Sequence, residues 1–141
     1  GREATLASLQ YRFLPNYAVI KRVLAETRSL LPSHEHNPFK RVVDFGIGCG
    51  SASAAAMDVF DNIQWIHGID PSRSMRDCAE RILKQAANLP ETTHSKDLYI
   101  STSEQLSKDT TSGFDVALFC YAAHEIPHLV TILAAAAVLW E

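Results

Sequence analysis

Val42–Ala56 reads VVDFGIGCGSASAAA: an apolar run, an acid, glycine at every second position, then a stretch of small residues. The preceding KRVVDF has the β-branched and aromatic character of a strand, and SASAAAMDVF has the alanines of a helix. Gly46, Gly48 and Gly50 therefore fall where a strand gives way to a helix. Glycine supplies positive φ at such a turn and keeps Cβ out of a ligand's path. Ala52, Ala54, Ala55 and Ala56 allow the helix to lie close against the sheet.

In α/β folds two ligand classes use a turn this bare, dinucleotides and S-adenosylmethionine. A dinucleotide turn asks for G-x-G-x-x-G, with pyrophosphate on the helix N-terminus. Counted from Gly46, its third glycine falls on Ser51. The observed pattern is D-x-G-x-G-x-G from Asp44 through Gly50. A carboxylate at the mouth repels a pyrophosphate and suits the ammonium and sulfonium of S-adenosylmethionine. Asp70 closes the next apolar run, IQWIHGID, and a carboxylate at that strand end accepts ribose hydroxyls. Both ligand classes carry a ribose, so Asp70 supports nucleoside binding without choosing between them.

Outward from the turn, strand-like and helix-like segments alternate. NYAVIKRVLAETRSLLP spaces Tyr17, Ile20, Leu24, Thr27 and Leu31 as an amphipathic helix that stops before Pro32. After the glycine turn come IQWIHGID as a strand and Ser72–Leu89 as a helix with Met75, Ala79, Ile82, Leu83 and Ala86 on one face. DLYIS and FDVALFCYA follow as strands, then HLVTILAAAAVLW as a helix apolar on nearly every side. This alternation predicts an α/β fold, a Rossmann-like parallel sheet in order 3-2-1-4 with right-handed crossovers. We expect residues 1–37 to form a helical basic lead-in and 38–141 the N-terminal portion of the domain, with later strands of the sheet beyond Glu141.

The 141 residues amount to one domain, 47% hydrophobic and 21% charged. Ile132–Trp140, the longest apolar run, is too short to span a bilayer, and no membrane partner is expected. Gly1 is not methionine, so a targeting segment removed from the N-terminus is compatible with the sequence. Cys49, Cys78 and Cys120 lie far apart with no C-x-x-C pair, which favours reduced thiols over a disulfide framework or a zinc site. The net charge of −3 hides an asymmetry. Residues 1–41 hold seven basic side chains against three acidic ones, and the remainder is acidic. Lys21, Arg22 and Arg28 in the lead-in helix are the residues expected to meet nucleic acid. The competing reading is an ordinary solvated helix face.

HEIPH, from His124 to His128, satisfies H-E-x-x-H, the zinc-protease pattern. Pro127 between the histidines opposes the helix that would align them, and Thr131 and Ala134 occupy the positions of the extended motif's glycine and third histidine. No metal is expected there. His34 and His36 read as exposed loop residues, and no catalytic nucleophile or acid–base pair stands out.

With these features placed, the chain resembles the Rsm-type, methyltransferase-like assembly factors of the mitochondrial small ribosomal subunit. The matching blocks are RFLPNYAVIKRVLAETRSLLP, VVDFGIGCGSASAAA, GIDPSRSMRDCAERIL and FDVALFCYAAHEIP. The first and third are the more specific, because many methyltransferases share the second. The resemblance implies a class I methyltransferase fold, S-adenosylmethionine as cofactor and the mitochondrial matrix as location. Its implied partners are small-subunit rRNA with ribosomal proteins or other assembly factors. Carried onto this chain, it assigns Asp44, Gly46, Gly48 and Gly50 to the cofactor turn, Asp70 to the ribose, and Cys120 and Tyr121 to the strand end beside the methyl donor. The family's iron–sulfur cysteines would lie farther along than this chain reaches. STSEQL offers Ser101, Thr102 and Ser103 where active enzymes often place an acid for the adenine, and no N-P-P-Y-type segment follows the fourth strand. The leading expectation is an assembly factor that docks on rRNA, with an active rRNA methyltransferase as the alternative. A small-molecule methyltransferase would show no ribosome association at all.

Overall fold

The structure is a computed structural model and describes residues 1–32, 39–87, 97–101 and 113–120. Two helices, α1 (Arg2–Tyr11) and α2 (Phe13–Leu30), precede strand β1 (Arg41–Phe45). Then come α3 (Ser51–Val59), β2 (Trp65–Ile69), α4 (Arg73–Ala87), β3 (Asp97–Ser101) and β4 (Val116–Leu118). All strand pairs are parallel and the order is β3-β2-β1-β4, as the alternation of elements predicts. The chain steps outward from β1 to β3, then returns to the other side of β1 to lay down β4. That reversal creates a switch point at the carboxyl end of β1, where α/β folds bind ligands.

Period-two alternation along β1 sorts its side chains between two faces. Val42 joins Ile66 and Leu118 in a core with Ala52, Ala55, Ala56 and Val59 of α3. Val43 and Ile69 pack on the opposite face with Phe45, Phe114 and Phe119. Spacing of i, i+3, i+4 and i+7 along α3 gives it a narrow alanine face, which explains its close seat on the sheet. At the amino end of the sheet, Asp115 Oδ2 accepts the N–H groups of Lys40 at 2.7 Å and Arg41 at 2.9 Å, fixing β4 against β1.

The lead-in differs from expectation in extent. Helix α2 begins at Phe13 rather than near Asn16, with Pro15 in its first turn, where the missing N–H costs no intrahelical bond. It ends where Leu31 turns extended, at ψ 148, before Pro32. Ile20 and Leu24 bury against α3, worth about 1.5–3 kcal/mol each when fully buried. Helix α1 falls within the expected helical lead-in, which the sequence reading did not divide into two helices. Its one buried residue is Thr5, whose Oγ1 donates to Ser74 Oγ at 2.8 Å and so rests α1 on the start of α4. Strand β4 covers three of the seven described residues of the segment that reads as strand. No helix among the described residues is long and apolar enough to cross a membrane.

Candidate functional site

The glycine turn leaves β1 with φ of 76° at Gly46, 54° at Gly48 and 89° at Gly50, a region that L side chains rarely adopt. Gly46 and Ile47 donate to the Ile69 carbonyl at 2.8 and 3.0 Å, so the end of β2 holds the turn. A side chain at Gly50 would press on Ala79 and Leu83 of α4, both at 3.4 Å. At Gly48 the nearest atom to an added Cβ would be the Gly46 carbonyl oxygen, 4.0 Å away. The turn is packed from below at Gly50 and open above Gly48.

Asp44 does not stand at the lip. It is 1% exposed, because alternation puts it on the Val42 face, beneath the start of α3. Its Oδ2 accepts the Ser53 hydroxyl at 2.7 Å and the Ser53 N–H at 3.1 Å, and the N–H is one of the first-turn donors that no helix satisfies internally. Burial pushes the Asp44 carboxyl up to about 6; the Ser53 bonds oppose the shift and the Asp70 charge adds to it. Asp44 therefore ties strand to helix under the turn.

Asp70, just past β2, is 9% exposed and lies against the glycine turn. Its Oδ2 accepts the Gly48 N–H at 3.0 Å and its Oδ1 accepts the Ser72 N–H at 2.8 Å. A carboxylate offers about four acceptor sites, so each oxygen keeps capacity for a further donor such as a ribose hydroxyl. Arg76 Nη1 donates to the carbonyls of Asp70 at 2.6 Å and Pro71 at 3.0 Å, which fixes the loop that presents the acid. Cys120, at the end of β4, is half-buried. Its thiol is pushed up to about 11, by burial and then by the charge of Asp44. Tyr121, Thr102, Ser103, His34, His36 and the HEIPH stretch lie outside the described residues.

The basic trio does not share a face. Lys21 ion-pairs with Asp58 of α3, which also accepts the Tyr17 hydroxyl at 2.6 Å. These hydrogen bonds hold the Asp58 carboxyl below its ordinary range and raise the Lys21 ammonium. Arg28 Nη1 donates to the Val59 carbonyl at 2.8 Å, at the carboxyl end of α3. Arg22 lies about 100° round the helix from Lys21, largely exposed and paired with Glu26 at 3.0 Å. Lys21 and Arg28 thus fasten α2 to α3, and only Arg22 faces outward.

Three contributors have no individual signal in the sequence reading. Ser53 anchors Asp44, and Arg76 braces the Asp70 loop. Gly68 is the third: a Cβ there would stand 2.3 Å from Ile47 Cδ1, so its bareness lets the turn's own isoleucine fold back against β2. The one available cue for Ser53 was its place in the first turn after the glycines, where an acid below needs a donor.

A family model described as "Mitochondrial small ribosomal subunit Rsm22" matches residues 2–132, and the chain belongs to that family. No curated protein sequence matches. Among solved structures, S-adenosylmethionine-bound CalS10 of Micromonospora echinaspora, an amino pentose methyltransferase, is similar at 18% identity and a TM-score of 0.54, over 97% of this chain and 49% of that one. YjhP of E. coli is similar at 22% identity and a TM-score of 0.51, over 83% of this chain and 42% of that one. This chain therefore spans about half the length of these two structures, and it shares the fold of the class I methyltransferases.

Proposed function

We propose that this member of the Rsm22 family binds S-adenosylmethionine at the glycine turn and serves the mitochondrial small ribosomal subunit, in the matrix, as an assembly factor docked on rRNA and ribosomal proteins. The observation that carries the cofactor reading is the Asp70 carboxylate, held at the switch point by Gly48 and Ser72 with acceptor capacity left over. The open space above Gly48 fits a ligand that approaches the backbone closely. In this reading Asp70 accepts the ribose hydroxyls and Gly46–Gly50 lets the amino-acid portion lie on the turn. Asp44 holds the turn and lends negative charge from below, and Cys120 and Tyr121 are the residues the family resemblance assigns beside the methyl donor. When bound, the cofactor supplies an electrophilic methyl group. The chain's own residues bind and orient, and such catalysis rests on proximity.

The lead-in supports the ribosomal half of the proposal less evenly. Lys21 and Arg28 are engaged with α3, so Arg22 is the member of the trio free to meet a phosphate, and Arg2 and Arg12 are likewise exposed in the lead-in. Residues 1–37 act as the docking element and 38–141 as the cofactor-binding portion.

Equilibrium dialysis with labelled S-adenosylmethionine tests the first half. Asp70→Ala should weaken binding by about 1.5–3 kcal/mol, the worth of a charged hydrogen-bond acceptor. Wild-type affinity in that variant removes Asp70 from the site. Tritium transfer from the cofactor to small-subunit RNA, with Gly48→Arg as the blocked control, separates docking from methylation. Label that appears with wild type and vanishes with the control establishes an active methyltransferase instead.

A further inference from the structure

We propose that α1 is a latch on the cofactor site, closed through Thr5 and Ser74, so that nucleoside binding at Asp70 and docking of α1 favour one another; the inference rests on S-adenosylmethionine as the ligand there. Thr5 is the one buried residue of α1, 7% exposed. Its Oγ1 donates to Ser74 Oγ at 2.8 Å, and the Ser74 and Ser72 hydroxyls share a hydrogen bond at 3.2 Å. Ser72 in turn donates its N–H to Asp70 Oδ1 at 2.8 Å. From the other side, the Cys49 thiol donates to the Thr5 carbonyl at 3.8 Å. The neighbouring Gly48 N–H donates to Asp70 Oδ2. A single residue of α1 thus meets both segments that hold the Asp70 carboxylate, the glycine turn and the start of α4.

Little else favours α1 as a helix. Isolated helices shorter than about 12–15 residues are marginal in water. Helix α1 has 10 residues, no side-chain cap and no basic residue in its last turn, and Glu3 is the one charge that suits its dipole. It leaves Leu6, Leu9 and Tyr11 exposed. An element held by so few contacts opens locally while the sheet stays folded. A ligand on Asp70 needs the acid, its loop and the turn in one arrangement. With α1 docked, Ser74 and Cys49 are held and that arrangement is preorganised. With α1 away, each loses a partner, and part of the binding free energy goes into ordering them. Such coupling is reciprocal: the factor that α1 docking adds to cofactor affinity is the factor that cofactor adds to α1 docking. Because α1 belongs to the lead-in assigned to docking, that surface then depends on whether the cofactor site is filled.

Amide hydrogen exchange of the full chain, with and without saturating S-adenosylmethionine and beside equilibrium dialysis of the same samples, tests the latch. Cofactor should slow exchange in α1 by about 5–10-fold and leave the central amides of α2 unchanged. Thr5→Val removes the hydroxyl and keeps the side-chain shape, and Ser74→Ala breaks the same link from α4. Each should weaken cofactor binding by a similar factor and abolish the slowing in α1. The double variant should bind no worse than the weaker single, because both cut one contact. A merely structural Thr5 would speed α1 exchange in the variants while affinity and the response to cofactor kept their wild-type values, which overturns the proposal. Binding by wild type without slowing in α1, or slowing that persists in both variants, overturns the latch and leaves the cofactor reading standing. No binding by wild type removes both.

Discussion

Asp44→Asn isolates the cost of a charge buried beneath the turn. The carboxyl rises from 3.8 to about 6 on folding, chiefly through burial. That is about 2 pK units, or about 3 kcal/mol at 1.36 kcal/mol per unit. The sign is opposite to the usual acid-denaturation case. Below about pH 4 both states are protonated and the group contributes nothing. Between about pH 4 and 6 the unfolded chain ionises while the folded one keeps its proton, so stability falls as pH rises. Above that window the fold carries the whole penalty. Asparagine keeps an oxygen for the Ser53 N–H and hydroxyl but cannot ionise. Urea unfolding of both proteins at pH 4 and pH 8 should show the variant gaining about 3 kcal/mol relative to wild type between the two pH values. Most other groups cancel in that difference, and Cys120, at about 11, titrates outside it. A pH-independent difference, or one that moves against the variant as pH rises, refutes the buried-charge account. A variant stabilised at neutral pH would also mean that the fold tolerates the acid rather than relying on it for stability, which leaves its charge for the site above.

Gly68→Ala forces a Cβ into Ile47 and should destabilise by about 1–3 kcal/mol, as overpacking does. Adding Ile47→Val deletes the colliding Cδ1, so the double variant should lose less than the two singles combined in urea unfolding; strict additivity would deny the contact. Arg28→Ala removes a donor from the terminal carbonyl of α3 and should cost about 1–2 kcal/mol. Lys21→Ala breaks a pair that is half-exposed on both sides and should cost less than Arg28→Ala. Thermal unfolding that ranks the two the other way round would reverse their roles. Arg22→Glu should leave stability within about 0.5 kcal/mol; weaker co-sedimentation with the small subunit, steeper as salt rises, would mark a phosphate contact. Unchanged sedimentation removes Arg22 from the interface.

What was legible in the chain was what local backbone chemistry dictates. Positive φ at Gly46, Gly48 and Gly50 follows from a strand that must become a helix within five residues, and the parallel order follows from alternation with crossover helices. Side-chain direction was harder to read. Asp44 looks like a lip residue when the motif is read as a string, yet period two puts it with Val42, and a carboxylate on that face needs Ser53 in the first turn of α3. Charge counting failed in the same way. Seven basic residues in the lead-in say nothing of direction, whereas Lys21 and Arg28, seven apart and about 20° offset on a helix, belong to the stripe that meets α3. Helix α1 had no apolar period because it holds on through Thr5 alone among its buried residues. Gly68 was silent for another reason: its need for bareness comes from Ile47, which only the fold brings to it. The residues that position this site are therefore set by partners on other elements. An acid under a turn, a serine above that acid and a glycine under an isoleucine each become interpretable only when the sheet has stacked them.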